Sequence, residues 1–176
     1  MPRMEIDLKP VDHITTDAIG SPGQRVFYIQ GWKAERCITL VVEKIQVQSL
    51  AIGVEEFLEE IAIKFPDLPS LSVNYDEEKM HIQHPIDPLF RVREFSLGYN
   101  VDNDMIVLIA QQLLPEDQEP IKASVVRFWC TRSQIYALSL WGLEVTSHGR
   151  PICPLCGKPM NPNEKHFCPK KNGRQH

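Results

Sequence analysis

The residues with the most specific chemistry lie near the carboxyl end of this 176-residue sequence. Two cysteines, Cys153 and Cys156, flank a Pro-Leu pair, and His166 and Cys168 follow, which gives the spacing C-x2-C-x9-H-x-C. Zinc binds four sulfur or nitrogen donors in a tetrahedron, and a tight turn that carries two thiolates commonly supplies half of such a site. The pattern predicts a zinc site formed by Cys153, Cys156, His166 and Cys168.

The fourth ligand is open to alternatives, since His148 and His176 lie in the same part of the chain. A disulfide is disfavoured, because three cysteines in this segment leave one thiol over. A catalytic zinc keeps an open coordination position beside a general base, and Glu164 is the only acidic residue between positions 150 and 176. We therefore expect a closed, structural zinc shell, and the sequence assigns no catalytic residue.

Charge and proline content change near Gly149. The 27 residues from 150 to 176 carry six lysines and arginines against one acid, formally +5, whereas residues 1–149 have 13 basic and 22 acidic residues, formally −9. The zinc-like tail is too short and too rich in proline to bury a core of its own, so a metal would have to stabilise it. We predict a domain at 1–149 and a zinc-binding tail at 150–176.

Hydrophobic periodicity predicts the elements of the first part. Two β-branched segments separated by Ala34 and Glu35 indicate a hairpin, and a three- and four-residue apolar spacing that begins at Leu50 indicates a helix ended by Pro66. Thr131 and Gln134 form a capping-box pattern at the start of a second helix. The predicted strands are 25–33, 36–43, 90–99, 104–114 and 121–130, the helices are 50–65 and 132–148, and 66–89 is a surface connection.

These elements predict an α+β fold in which one antiparallel sheet carries two helices on one face. The similar sequences at the two strand-to-helix junctions add the alternative of two ββα-like halves. A small zinc-ribbon or zinc-knuckle element would follow at the C-terminus.

A second candidate site combines a glycine turn with a strand-to-helix junction. The Gly20–Gly23 turn and the adjacent Arg25 could hold an anion, although a plain β-turn explains the same residues. At the junction, helix capping and a surface ion pair are alternatives to a role in a cleft with Arg25. The residues of this candidate anion or ligand cleft are Gly20, Gly23, Arg25, Glu43, Lys44 and Gln46.

Composition excludes several classes of protein. The net charge of −4 and a pI near 5.9 disfavour a protein that coats nucleic acid or anionic lipid through its overall charge. The apolar stretches are far shorter than the roughly 18 residues that span a bilayer, and the N-terminus has no apolar run. We expect a cytoplasmic protein with no membrane association. The basic tail keeps nucleic-acid binding as an alternative.

The tail resembles a known bacterial family, the domain of unknown function 3090. The likeness is carried by Gly149-Arg150-Pro151, Cys153-Pro154-Leu155-Cys156-Gly157, His166, Cys168-Pro169 and Asn172-Gly173, and upstream by Gly20–Arg25, Phe27–Gln30, Phe90–Val92 and Leu97-Gly98. The family's loop before the histidine is one residue shorter than the loop in this sequence, where Asn163-Glu164-Lys165 replaces the typical acid-glycine ending, and Lys171 stands where a second C-P-x-C knuckle would place its last cysteine. The resemblance implies a cytoplasmic bacterial protein of unassigned activity.

The same resemblance implies a protein partner, since members are often encoded beside a phosphatase-like and a lipid-kinase-like protein. Our leading hypothesis is a non-enzymatic protein-binding or adaptor module with structural zinc. The alternatives are an enzyme that acts on a phosphorylated or anionic small molecule through a cleft near Arg25 and Glu43, and nucleic-acid binding by the tail.

The zinc hypothesis predicts that Cys153→Ser or Cys168→Ser abolishes bound zinc and unfolds the tail while the first 149 residues keep their thermal transition. Cys37→Ser, in the predicted hairpin, is the matched control and should retain one zinc per chain by elemental analysis. Equal loss of stability in both parts of the chain would contradict the boundary at Gly149.

Overall fold

A computed structural model describes residues 2–21, 23–72 and 74–147. Over these ranges the chain forms seven strands, two α-helices and two short 3-10 helices. The strands are β1 (Glu5–Leu8), β2 (His13–Ile19), β3 (Val26–Lys33), β4 (Arg36–Val42), β5 (Pro88–Asn100), β6 (Met105–Gln112) and β7 (Val125–Thr131), the helices are α1 (Lys44–Lys64) and α2 (Arg132–Ser147), and the 3-10 helices are Glu77–Met80 and Pro120–Lys122. The predicted α+β class is confirmed, whereas the tail lies outside the described residues.

All seven strands form one sheet in the order β1-β7-β6-β5-β4-β3-β2. The predicted antiparallel sheet is wrong in two places, because β4 pairs with β5 and β1 pairs with β7 in parallel. The first parallel pair arises because α1 and the segment after it cross over and return the chain in the same direction. Each long helix follows three consecutive antiparallel strands, β2-β3-β4 before α1 and β5-β6-β7 before α2. Of these strands, β2 was not predicted from hydrophobic periodicity.

The sheet is strongly curled. A flat sheet would place its edge strands β1 and β2 about 29 Å apart, at about 4.8 Å per strand spacing. Only residues 9–12 connect these strands, and the chain from Leu8 to His13 spans at most about 18 Å. The same connection joins both sides of the sheet, because Val11 N donates to Trp129 O on β7 and Asp12 N donates to Trp32 O on β3.

The concave face of this sheet holds the core. Leu40, Leu108 and Phe128 have no exposed surface, and Leu8 is 1% exposed. Gly31 on β3 and Phe128 on β7 lie four strands apart in the sheet, yet a Cβ built on Gly31 would lie 2.6 Å from Cε1 of Phe128. The two halves of the sheet therefore meet across the core, and a glycine is needed at this contact.

Both helices pack side by side on the concave face, as predicted. Gly142 of α2 lies against Val47 of α1 and Thr16 of β2. The indole Nε1 of Trp141 donates to Thr16 O at 2.7 Å. The capping box of α2 is confirmed, because Thr131 N donates to Gln134 Oε1 at 2.8 Å and Gln134 N donates to Thr131 Oγ1 at 3.0 Å.

The first helix begins at Lys44, within the predicted strand-to-helix junction and six residues before the apolar stripe that starts at Leu50. Gln46 explains the difference, since its Oε1 accepts a hydrogen bond from Glu43 N at 2.8 Å and thereby caps the first turn. The segment 66–89 is more than a surface connection, because Met80 and Ile82 are buried.

We predict that Gly31→Ala lowers the free energy of unfolding by about 1–3 kcal/mol, because the new methyl group overpacks against Phe128. Gly53→Ala is the matched control, since nothing lies within 4 Å of a Cβ at that helical position. It should raise stability by about 0.5–1 kcal/mol. Urea denaturation of both variants tests the contact, and an unchanged Gly31→Ala protein would mean that the two halves of the sheet do not meet there.

Candidate functional site

Two concave surfaces lie on different sides of the helix pair. A cleft of about 440 Å³ lies between β2, α2 and the segment 81–84, and we call it the histidine cleft. A groove of about 340 Å³ lies between the first half of α1 and residues 93–97 of β5, and we call it the α1–β5 groove. The histidine cleft is lined by Asp17, Ala18, Ile19, Arg25, His81, Ile82, His84, Trp141, Glu144 and Val145.

Asp17 organises the histidine cleft. Its side chain is only 13% exposed, and its Oδ2 accepts hydrogen bonds from His81 Nδ1 at 3.0 Å and from Ile82 N at 3.2 Å. Its Oδ1 accepts from Ala18 N at 2.9 Å. Because an ionised carboxylate can only accept, the proton of neutral His81 lies on Nδ1, and Nε2 presents a lone pair.

The imidazole of His81 is held from a second side by Trp141. The two rings meet edge to face with centroids 5.3 Å apart. Trp141 is itself fixed by its indole hydrogen bond to Thr16 O. His81 nevertheless stays 60% exposed, so the cleft contains an oriented histidine that solutes can reach.

Buried polar side chains on the convex face of the sheet hold the backbone that carries His81. Gln30 has no exposed surface, and its amide accepts from Gln83 N at 2.8 Å and donates to Gln83 O at 3.2 Å. The same Nε2 donates to Thr39 Oγ1 at 2.8 Å. Thr15 Oγ1 donates to Met80 O. These bonds fix residues 80–83 over β2 and β3.

Arg25 also lines the histidine cleft. Its Nε is buried and donates to no acceptor among the residues described here. The turn that precedes it has Gly20 at φ +112° and Gly23 at φ +88°, both in the region that favours glycine. A Cβ at Gly20 would lie 3.0 Å from Gln24 O, so this turn is tight as well as left-handed.

The residues that were predicted to form one ligand cleft lie at the same end of the sheet, but Arg25 and Gln46 line different cavities. Gln46 lines the α1–β5 groove, and its Nε2 donates to Val92 O and Arg93 O at 3.0 Å each. Glu43 Oε1 accepts from Arg91 Nη1 at 2.6 Å. Glu43 and Gln46 therefore have the capping and ion-pair roles that the sequence offered as alternatives, and Lys44 is the first residue of α1.

Sequence reasoning missed Asp17 and His81 as partners. They are 64 residues apart, and β2 itself was not predicted, so no spacing could bring them together. The only indication in the sequence was that His81 follows a run of acidic residues.

The α1–β5 groove is mainly apolar. Leu50, Phe95 and Leu97 are partly buried at its floor, and Ile45 at its rim is 65% exposed. Position 53 is open because Gly53 has no side chain and no neighbour within 4 Å of a Cβ. A second chain can therefore approach the backbone of α1 here.

The predicted zinc ligands Cys153, Cys156, His166 and Cys168 lie outside the described residues. Within the described ranges no group of three or more His, Cys, Asp or Glu side chains could hold a metal ion. In the same ranges no helix is long and apolar enough to cross a membrane.

We predict that Gln30→Leu frees the backbone of Gln83, because its N–H and C=O lose the buried side chain that binds them, at a cost of about 0.5–1.5 kcal/mol for each hydrogen bond lost. Amide hydrogen exchange at Ile82 and Gln83 should accelerate. Gln48→Leu on α1 is the control and should leave these two amides unchanged. Unaltered protection at residue 83 in Gln30→Leu would mean that another contact holds this segment.

Comparison with known proteins gives a family match. The model of one protein family, described as a protein of unknown function (DUF3090), matches residues 6–168. No curated protein and no solved structure matches significantly. The match extends from β1 to Cys168 and confirms the resemblance noted in the sequence. The chain belongs to the DUF3090 family.

Proposed function

We propose that this protein is a protein-binding module and that the α1–β5 groove receives the partner. The observation that carries the proposal is an apolar stripe on the outer side of α1. Ile45, Ile52 and Ile63 are 65%, 55% and 80% exposed. Their spacings of 7 and 11 residues are close to whole numbers of turns at about 3.6 residues per turn, so the three side chains lie on one side of the helix.

An exposed apolar stripe beside an apolar groove is typical of a protein interaction surface. Isolated exposed isoleucines need no explanation, but three on one helix face, the first of which lines a groove, do. An amphipathic helix of a partner could place its apolar face over Ile45 and Ile52, with Gly53 leaving room for close approach.

The charges around the stripe specify the partner further. Four carboxylates on α1, those of Glu55, Glu56, Glu59 and Glu60, belong to exposed residues. A partner with lysines or arginines beside its apolar face would complement them, and such complementarity raises association rates and excludes acidic partners. The occupant we propose is therefore a basic amphipathic segment of another protein, with the phosphatase-like or kinase-like neighbours implied by the family resemblance as the candidates to try.

The tail supplies the second part of this proposal. We propose that Cys153, Cys156, His166 and Cys168 bind structural zinc, because their types and spacing match a closed tetrahedral site. The tail follows α2, whose last residue is Ser147. The proposed location is the bacterial cytoplasm, which suits the free thiols of Cys37 and Cys130.

Synthetic helical peptides test the groove directly. Three peptides with the same apolar face carry basic, neutral or acidic flanks, and their affinity for the full-length protein is measured by fluorescence anisotropy. We expect the basic peptide to bind at least about tenfold more tightly than the acidic one at low salt, because four carboxylates border the stripe. The double variant Ile45→Asp, Ile52→Asp should bind the basic peptide about tenfold or more weakly than the native protein does.

Ile121→Asp is the matched control. Ile121 is 77% exposed but lies in the 3-10 helix Pro120–Lys122, outside the groove. It should not change peptide affinity. Equal binding of all three peptides, or equal loss in the Ile121 and Ile45–Ile52 variants, would reject the groove as the partner site. Self-association that the Ile45–Ile52 variant removes would assign the groove to a second copy of the chain instead.

A further inference from the structure

We propose that the histidine cleft binds a hydroxylated small-molecule anion, with its oxyanion on Arg25 and a hydroxyl group on Nε2 of His81. This site is separate from the α1–β5 groove and goes beyond the protein-binding function. Both side chains line one cleft of about 440 Å³, a size that suits a metabolite-sized ligand.

Arg25 supplies the recognition of charge. A guanidinium group is always protonated and presents donors that match the oxygens of a carboxylate or phosphate. The Nε of Arg25 is buried and has no acceptor among the described residues. Because Nε has almost no accessible surface, an oxyanion would bind the part of the side chain that lines the cleft rather than Nε.

His81 supplies the recognition of a hydroxyl group. Asp17 accepts a hydrogen bond from the protonated Nδ1, so neutral His81 accepts hydrogen bonds at Nε2. An oxyanion cannot donate to this lone pair, whereas a hydroxyl group can. The neutral ring thus favours ligands that carry both groups over anions without a hydroxyl.

The carboxylates around the cleft limit the charge of the ligand. Asp17 lies behind His81, and Glu144 of α2 lines the same cleft. The carboxylate of Asp17 near Arg25, the one arginine among the described lining residues, disfavours a polyanion such as nucleic acid or a nucleoside triphosphate. A ligand with a single phosphate or carboxylate group is the chemical class that remains.

The His81 side of the site is held in place before any ligand binds. The ring of His81 is held by Asp17 and Trp141, and the backbone behind it is held by Gln30. Fixed donors and acceptors lose little entropy when a ligand binds, which favours a small molecule with few contacts.

Nitrogen-15 NMR of the full-length protein near neutral pH tests the proposal, with the Trp141 indole signal as the reporter of the cleft. Glycerol 3-phosphate, glycerate and methyl phosphate are titrated to about 50 mM, because ligands of this size bind weakly. We expect glycerol 3-phosphate to bind about three- to tenfold more tightly than methyl phosphate, the value of one neutral hydrogen bond. If glycerol 3-phosphate binds more tightly than glycerate, the ligand is a phosphate ester, and if glycerate binds more tightly, it is a carboxylate.

Two variants assign the contacts. His81→Asn keeps an amide donor for Asp17 but lacks Nε2, so it should bind glycerol 3-phosphate and methyl phosphate equally. Arg25→Gln should weaken all three ligands by about tenfold or more, since it removes a charge-assisted hydrogen bond. Arg36→Gln, at the opposite end of the same strand pair, is the control and should bind like the native protein.

The comparison of ligands in the native protein does not depend on whether a variant folds. Equal affinity for glycerol 3-phosphate and methyl phosphate, or no shift of the Trp141 signal with any ligand, would overturn the proposal. So would an Arg36→Gln protein that loses as much affinity as a folded Arg25→Gln protein.

Discussion

A connection of four residues joins the two edge strands of a seven-stranded sheet, and most of the architecture follows from it. Residues 9–12 are too few to run along the outside of a flat sheet of this width, so the sheet has to curl until β1 and β2 approach each other. Val11 and Asp12 then bond to β7 and β3, and Gly31 meets Phe128 across the core. The short connection therefore determines both the curvature and the single concave core.

The curled sheet leaves room for two helices, and their outer surfaces become the two candidate sites. On one side α1 meets β5 and exposes isoleucines and glutamates, which suits a protein partner. On the other side α2 meets β2, where Trp141 and Asp17 orient His81 beside Arg25. The two surfaces have different chemistry because the surface of the first is mainly apolar, whereas half of the residues that line the second are titratable.

Local patterns in the sequence predicted the local elements well. The hairpin at 25–43 and the helix that begins after Thr131 depend on β-branched runs and a capping box, which are properties of neighbouring residues. The apolar stripe that predicted α1 begins only at Leu50, whereas Gln46 caps the first turn at the strand-to-helix junction. Ile45 and Ile52 of this helix face solvent, and such residues do not fit the pattern of a buried stripe. The parallel pairs depend on the crossover after β4 and on β1, neither of which leaves a local signature.

The candidate site was harder to predict than the fold. Arg25 was identified from its glycine turn, but its cleft partner Asp17 lies on β2, which was not predicted, and His81 lies in the segment after α1 that packs back over β2 and β3. Gln30 illustrates the difficulty, because a glutamine in a strand predicts an exposed side chain, whereas here it is fully buried and binds the backbone of Gln83. The cysteines of the tail are the opposite case, because their spacing alone predicts zinc binding.

The two proposed binding surfaces lie on either side of the helix pair and should act independently. Backbone amide NMR of the full-length protein can separate them, with the basic amphipathic peptide and glycerol 3-phosphate added in turn and then together. We expect two separate sets of shifted amides, residues 45–53 and 93–97 for the peptide and residues 17–19, 81–84 and 141–145 for the phosphate, each saturating regardless of the other ligand. Overlapping sets, or displacement of one ligand by the other, would show that the two surfaces are not independent.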